Sequence, residues 1–159
     1  RYPRELVPSQ KFVRAACAKP FKLGKSVVVK KGKDSAVAIV SYGSILTEAL
    51  KAADLLAKDG ITVDVINARF AAPVDEKIIS LLDKGKGIIT VEDHRLACGF
   101  GSAVLELAAA TLKCPIKNPI AVLGTPRRFI KHDSRNAQLM EAGINADKIA
   151  QTARQMLEA

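Results

Sequence analysis

The sequence lacks the segments that mark membrane and secreted proteins. No apolar run approaches the 18 or so residues that a membrane-spanning helix requires, so no membrane association is expected. The charged start contains no apolar stretch of the kind found at the centre of a secretory signal peptide. With 159 residues, 48% of them hydrophobic, the chain is long enough to bury the core of one ordinary globular domain. A cytoplasmic protein is therefore expected.

Cysteine and histidine are too few and too scattered for a disulfide framework or an evident metal site. The three cysteines, Cys17, Cys98 and Cys114, are odd in number, widely spaced and free of any CxxC pattern. This usage indicates a reducing compartment. Two histidines, His94 and His132, cannot by themselves form a zinc site.

Acidic residues are almost missing from the first 33 positions. That stretch holds ten of the 25 basic residues and only one of the 16 acidic residues, Glu5, so the net charge of +9 belongs to the N-terminal arm. Binding to nucleic acid needs a basic face with groups that read or stack on bases. The arm offers only Tyr2, Phe12 and Phe21, in no known arrangement. No nucleic-acid partner is expected.

The division of the chain follows from composition. The first part contains three prolines, little periodicity and much positive charge, which is typical of a linker that lies on a neighbouring domain. We therefore expect an interdomain linker over residues 1–26 and one domain over residues 27–159. The absence of an initial methionine fits a fragment, an excised domain or a processed product.

Strand-like and helix-like segments alternate along the body of the chain. Continuous apolar runs predict buried strands, and helical spacing of apolar residues separates them. Such alternation predicts a three-layer α/β/α sandwich with a mostly parallel five-stranded sheet. Expected strands are Val27–Lys30, Ala36–Ser41, Thr62–Asn67, Ile88–Glu92 and Ile120–Leu123. Expected helices are Ile45–Lys58, Pro73–Leu82, Gly101–Leu112, a helix capped by Ser134 that ends near Gly143, and one from Asn145 or Asp147 to Leu157.

Two glycines partly match a dinucleotide-binding pattern. Gly99 and Gly101 are followed by Val104 where a third glycine or alanine is needed, and seven residues, 92–98, separate them from the strand. That context does not fit NAD or FAD binding. We expect instead that the glycines permit a tight turn and let the following helix approach the sheet closely.

Glu92, Asp93 and His94 are predicted to lie at the carboxyl end of a strand, the favoured place for sites in open α/β sheets. A carboxylate near a histidine can tune a general base, but no nucleophile or second base is apparent. A cluster that caps a helix and meets another domain is therefore favoured. Cys98 precedes a predicted helix, where the pKa of a thiol can fall. Without a demonstrable histidine partner, a small buried thiol is expected.

Basic side chains supply two further candidates. Arg127 and Arg128 follow a Gly-Thr-Pro turn and can hold a phosphate or an interdomain carboxylate; a solvated pair is an equal alternative. Arg4 carries a guanidinium fork that matches phosphate geometry, and Pro3 restrains the chain before it. Arg1 competes for that role.

Several stretches together resemble a known family. They are RYPR at residues 1–4, AIVSYG at 38–43, VINARF at 65–70 followed by PVD at 73–75, the Thr90–Glu106 segment, and the tail from Leu123, which reads LGTPRRFIKHDSRNAQLMEAGINADKIA. These segments resemble the C-terminal domain of transketolase-type thiamine diphosphate enzymes, and most closely that of 1-deoxy-D-xylulose-5-phosphate synthases. Pyruvate dehydrogenase β subunits share the middle segment but match the tail less well.

The resemblance implies a function for the whole enzyme rather than for this chain. Such synthases condense pyruvate with glyceraldehyde 3-phosphate and use thiamine diphosphate and Mg²⁺ held by two upstream domains, in isoprenoid and thiamine biosynthesis. The chain would then be a mainly architectural, homodimer-supporting domain, inactive alone, with no catalytic, cofactor-binding or metal-binding residue. Arg4 matches the phosphate-binding arginine of the RYPR linker, although Glu5 replaces the usual glycine. The alternative is a domain or noncatalytic module of another thiamine-dependent enzyme, such as transketolase or a 2-oxo acid dehydrogenase β subunit.

Overall fold

A computed structural model describes residues 21–112 and 116–158, and its centre is a five-stranded sheet. The strands are β1 (Val27–Lys30), β2 (Val37–Tyr42), β3 (Asp64–Asn67), β4 (Gly87–Arg95) and β5 (Ile120–Thr125). Their order across the sheet is β1-β3-β2-β4-β5. Strand β1 runs antiparallel to β3, and the other neighbours are parallel.

Helices cover both faces of this sheet. They are α1 (Leu46–Lys58), α2 (Glu76–Asp83), α3 (Phe100–Thr111), α4 (Arg135–Ala142) and α5 (Ala146–Glu158). Alternation of side chains along β2 explains the two apolar layers: Ile39 packs with α1 and α5, whereas Val40 faces α2 and α3. The predicted α/β/α sandwich with a mostly parallel sheet is confirmed.

Several predicted boundaries were wrong by a few residues. Strand β4 continues to Arg95 instead of ending at Glu92, because its last residue still pairs with Thr125 of β5 after a break in register. Helix α2 begins at Glu76, not at Pro73: Asp75 is its N-cap, and the Asp75 carboxylate accepts a hydrogen bond from the Lys77 N–H group. The predicted cap at Ser134 and the left-handed glycine at Gly143 are confirmed.

Helix α3 lies very close to the sheet because Gly101 has no side chain. A Cβ atom built at Gly101 would lie 2.3 Å from Val122 Cγ1 and 2.7 Å from Thr90 Oγ1. Both neighbours belong to the sheet, and Thr90 is fully buried. The expectation that this glycine permits close helix–sheet packing is confirmed.

We predict that Gly101→Ala destabilises the domain by about 1–3 kcal/mol, because the added methyl group forces α3 and the sheet apart. Ala109→Ser, on the exposed side of the same helix, is the matched control and should change the free energy of unfolding by only about 0.5 kcal/mol. Urea denaturation measures both. Equal stability of Gly101→Ala and the parent chain would show that the close approach is not required.

Candidate functional site

The carboxyl ends of three parallel strands lie side by side at one edge of the sheet, here called the carboxyl edge; the opposite edge is called the amino edge. Strand β2 ends at Tyr42, β4 at Arg95 and β5 at Thr125. This is the edge at which open α/β sheets usually bind their ligands or partners. The predicted residues Glu92, Asp93 and His94 all lie in the last four residues of β4. Asp93 and His94 line a cleft with the loop after β5 that carries Arg127 and Arg128, here called the arginine loop.

Glu92 is a buried carboxylate that caps helix α3. Its side chain is 1% exposed, and it accepts hydrogen bonds from the N–H groups of Phe100 at 2.8 Å and Gly101 at 2.9 Å. The residue at the N-cap position itself, Gly99, has no side chain to do this. Two otherwise unsatisfied donors and the positive end of the helix dipole are thereby matched to a negative charge.

His94 and Asp93 do not complete a general base with Glu92. His94 Nδ1 lies 4.0 Å from Glu92 Oε2, beyond hydrogen-bond distance, and its ring lies 5.8 Å from that of Tyr42. Asp93 faces Ser44 and Arg135, with 3.9 Å between its carboxylate and Arg135 Nη1. The geometry therefore favours the capping interpretation, and contact of these residues with another domain stays a prediction.

The arginine loop borders a cleft of about 590 Å³ beside the end of β4. Arg128 is paired, since its guanidinium donates to both the side chain and the backbone carbonyl of Glu141. Arg127 is exposed and lines the cleft. The structure adds two residues that sequence reasoning missed, Arg95 and Phe129. The signal available for Phe129 was a lone aromatic residue in a strongly basic loop.

Cys98 lies on the surface, so the expectation of a buried thiol was wrong. Its backbone has a φ of 60°, in the left-handed region, and its N–H group donates to Ser102 Oγ at 3.0 Å. This turn directs the side chain into solvent while the backbone enters α3.

The acidic, histidine and cysteine side chains of the described residues are not grouped as metal ligands. Mg²⁺ prefers carboxylate oxygens, but within residues 21–112 and 116–158 no group of three His, Cys, Asp or Glu side chains could hold a metal ion. Asp93 is the one acidic residue that lines the cleft, among the residues that the structure describes. In the same part of the chain no helix has the length and apolar character to span a bilayer. Arg4 lies outside the described residues.

The segment before β1 is fastened to the start of α2. Asp75 Oδ2 accepts from both the N–H group and the hydroxyl of Ser26, at 2.8 and 2.9 Å, and Lys25 lies 3.6 Å from Oδ1. The ring of Phe21 lies 4.7 Å beneath the Arg69 guanidinium. The chain that leads from the predicted linker is therefore held against the domain at a defined place.

The α/β/α sandwich and its order of strands are those of a known class of domain. The family model for the transketolase C-terminal domain matches residues 24–149. The chain belongs to the transketolase C-terminal domain family.

Within this family, the chain is similar to proteins named 1-deoxy-D-xylulose-5-phosphate synthase. The chain is 39% identical over 141 residues to the 1-deoxy-D-xylulose-5-phosphate synthase of Synechococcus sp. strain JA-3-3Ab, which takes in 88% of this chain and 21% of that protein. The same-named protein of Thermomicrobium roseum is 43% identical over 130 residues, 80% of this chain and 20% of the relative. The chain thus spans about a fifth of the length of these curated relatives. The resemblance noted from sequence is confirmed.

A solved structure agrees with the family assignment. A split-gene transketolase, described as an inactive beta4 tetramer, superposes with a TM-score of 0.74 at 29% identity. The match covers 89% of this chain and 44% of that chain.

We predict that Glu92→Gln destabilises the domain by about 1.5–3 kcal/mol, because a neutral amide cannot accept from both backbone N–H groups. Glu106→Gln, an exposed change on α3, is the control and should leave the free energy of unfolding nearly unchanged. Chemical denaturation at neutral pH measures the difference. Equal effects of the two substitutions would contradict the capping role.

The contacts of Ser26 and Lys25 with Asp75, here called the clasp, predict a dependence of stability on pH. Burial raises the pKa of Asp75, but hydrogen bonds from Ser26 and Lys77 and the charge of Lys25 outweigh it, so the pKa lies below its ordinary value. A carboxyl group whose pKa is lower in the folded state stabilises the fold above its unfolded pKa, about 4. That contribution disappears as the pH falls through the lowered value.

We therefore expect the free energy of unfolding to fall between about pH 5 and pH 2, and to fall less in Asp75→Asn. Asp83→Asn, at the exposed end of α2, should keep the parent profile. Urea titrations across this range provide the measurement. A profile of Asp75→Asn that is parallel to that of the parent chain would contradict the assignment.

Proposed function

We propose that this chain is the C-terminal domain of a thiamine-diphosphate-dependent synthase that condenses pyruvate with glyceraldehyde 3-phosphate to 1-deoxy-D-xylulose 5-phosphate. The observation that carries the proposal is the alignment of most of this chain with about a fifth of proteins of that name. Its role is mainly architectural and supports a homodimer. The enzyme acts in the cytoplasm, in isoprenoid and thiamine biosynthesis.

The chemistry is assigned to the upstream domains. Thiamine diphosphate and Mg²⁺ bind there, and the cofactor supplies the carbanion chemistry of the condensation. The described residues of this chain offer no fitting metal site. The chain alone is accordingly expected to be inactive, with residues 1–26 as the linker and residues 27–159 as the domain.

The carboxyl edge supports an architectural role. Glu92 is committed to α3, and Arg128 is committed to Glu141. These residues shape the edge rather than react. The proposal assigns Asp93, His94 and Arg127, which lie at its surface, to contact with an upstream domain.

The full-length gene product tests the proposal. It is supplied with thiamine diphosphate, Mg²⁺, pyruvate and glyceraldehyde 3-phosphate, and the product is identified by mass spectrometry. We expect deoxyxylulose 5-phosphate from the full-length protein and none from this chain. Acyl transfer to a lipoyl acceptor, without that product, would assign the chain to a dehydrogenase β subunit. Two-carbon ketol transfer between sugar phosphates would assign it to a transketolase.

We predict a substrate-specific effect for Arg4→Ala in the full-length enzyme. Loss of a charged hydrogen bond to the phosphate costs about 1.5–3 kcal/mol, which raises the KM for glyceraldehyde 3-phosphate roughly ten- to 150-fold. The KM for pyruvate should stay nearly constant because pyruvate has no phosphate. Arg1→Ala is the matched control and should leave both values unchanged. Equal effects of Arg4→Ala on both substrates would contradict the phosphate role.

A further inference from the structure

Phe129 projects wholly into solvent from the arginine loop. Its side chain is 100% exposed, more than any other large apolar side chain that the structure describes. Single exposed apolar residues are common, but a phenyl ring without any covering contact leaves its whole apolar area in water. Phenylalanine and arginine are both enriched in protein–protein interfaces relative to the rest of the surface.

Hydrogen bonds of Arg128 hold the loop that carries Phe129 against helix α4. The N–H group of Arg128 donates to the Pro126 carbonyl at 2.8 Å, and the Arg128 guanidinium is bonded to Glu141 on α4. A side chain presented by a fastened turn loses little further freedom when it binds, which favours association. Phe129 is therefore a pre-positioned apolar group.

Positive charge predominates in the cleft beside Phe129, because its one carboxylate among the described residues, Asp93, faces Arg135. Arg95 and Arg127 both line it and are both exposed. Neither forms an ion pair with any other residue that the structure describes. The cleft therefore matches carboxylates of another molecule or domain.

At the opposite edge of the sheet, two lysines are paired with a buried carboxylate of the domain. There Lys31 and Lys86 both bind the buried Asp64 carboxylate, at 3.0 and 2.8 Å, and Lys86 also donates to Ser35. Lys31 and Lys86 are thus neutralised by Asp64, whereas Arg95 and Arg127 have no ion-pair partner among the described residues.

We propose that this carboxyl edge, with Phe129 as its anchor and Arg95 and Arg127 as its cationic rim, docks onto an upstream domain of the same polypeptide. The partner surface has an apolar hollow for the phenyl ring, bordered by Asp or Glu side chains that enter the cleft. This inference rests on the proposed function, because about four fifths of the curated relatives lies outside the aligned part. A domain joined by a linker is present at a high effective concentration, which favours it over a free partner.

Backbone amides give a direct readout of docking in the full-length protein. The N–H groups of Phe129, Ile130, Lys131 and His132 donate no hydrogen bond within the described residues. They should exchange with deuterium at unprotected rates unless another surface covers them. We expect at least tenfold protection at these amides in the full-length protein, measured by mass spectrometry and corrected for sequence-dependent intrinsic rates.

Two variants and two controls locate the contact. Phe129→Ser and Arg95→Glu should each reduce this protection at least tenfold. Met140→Ser removes an exposed apolar side chain from α4, and Lys117→Glu makes the same charge change before β5; both should retain it. Amides of α2 serve as the folding reference, and they should keep their protection in all four variants.

Three results would overturn the proposal: unprotected amides in the parent protein, protection that survives both variants, or protection that appears only when inorganic phosphate is added. Loss of protection together with dissociation to monomers, followed by mass photometry, would assign the surface to a second copy instead. Product formation is assayed on the same samples. Protection without deoxyxylulose 5-phosphate would retain the docking surface and reject the proposed function. Formation of deoxyxylulose 5-phosphate without protection would retain the proposed function and reject the docking surface.

Discussion

The contact between Glu92 and the start of α3 is the constraint on which the rest of the carboxyl edge depends. A carboxylate buried to this extent is stable only where it is fully hydrogen-bonded, and the N–H groups of Phe100 and Gly101 meet that need. Gly101 makes the contact possible, because any side chain there would collide with β5. Beyond Glu92, β4 continues to Arg95, which pairs with Thr125, and so places Asp93 and His94 at the same edge.

Basic side chains at the two edges of the sheet differ in their ion-pair partners. At the amino edge the buried Asp64 gathers two lysines within the domain. At the carboxyl edge Arg95, Arg127 and the phenyl ring of Phe129 are exposed, whereas Arg128 is paired with Glu141. The proposed docking of this domain onto an upstream domain uses the exposed groups of the carboxyl edge. The clasp between Ser26 and Asp75 adds a second fixed point, where the chain enters from the linker.

Much of the fold could be predicted from local patterns in the sequence. Apolar runs, helical periodicity and helix-end signals identified the five strands and five α-helices of the described residues, and the cap at Ser134 needed only the preference of a hydroxyl for a helix start. The antiparallel pairing of β1 could not be predicted, because it depends on contacts between residues far apart in the chain. The hydrogen bonds from Ser26 to the Asp75 carboxylate likewise join residues far apart in the chain, and the exposure of Cys98 depends on a left-handed turn at a residue other than glycine. Arg95 and Phe129 border the same cleft only because β4 and β5 pair.

A structure of the full-length protein with thiamine diphosphate and Mg²⁺ bound tests the central claim most directly. The account predicts that the cofactor lies entirely outside residues 27–159, and that the carboxyl edge of this domain is covered by an upstream domain of the same polypeptide. A cofactor that contacts this domain, or a carboxyl edge that faces solvent with Phe129 uncovered, would contradict it.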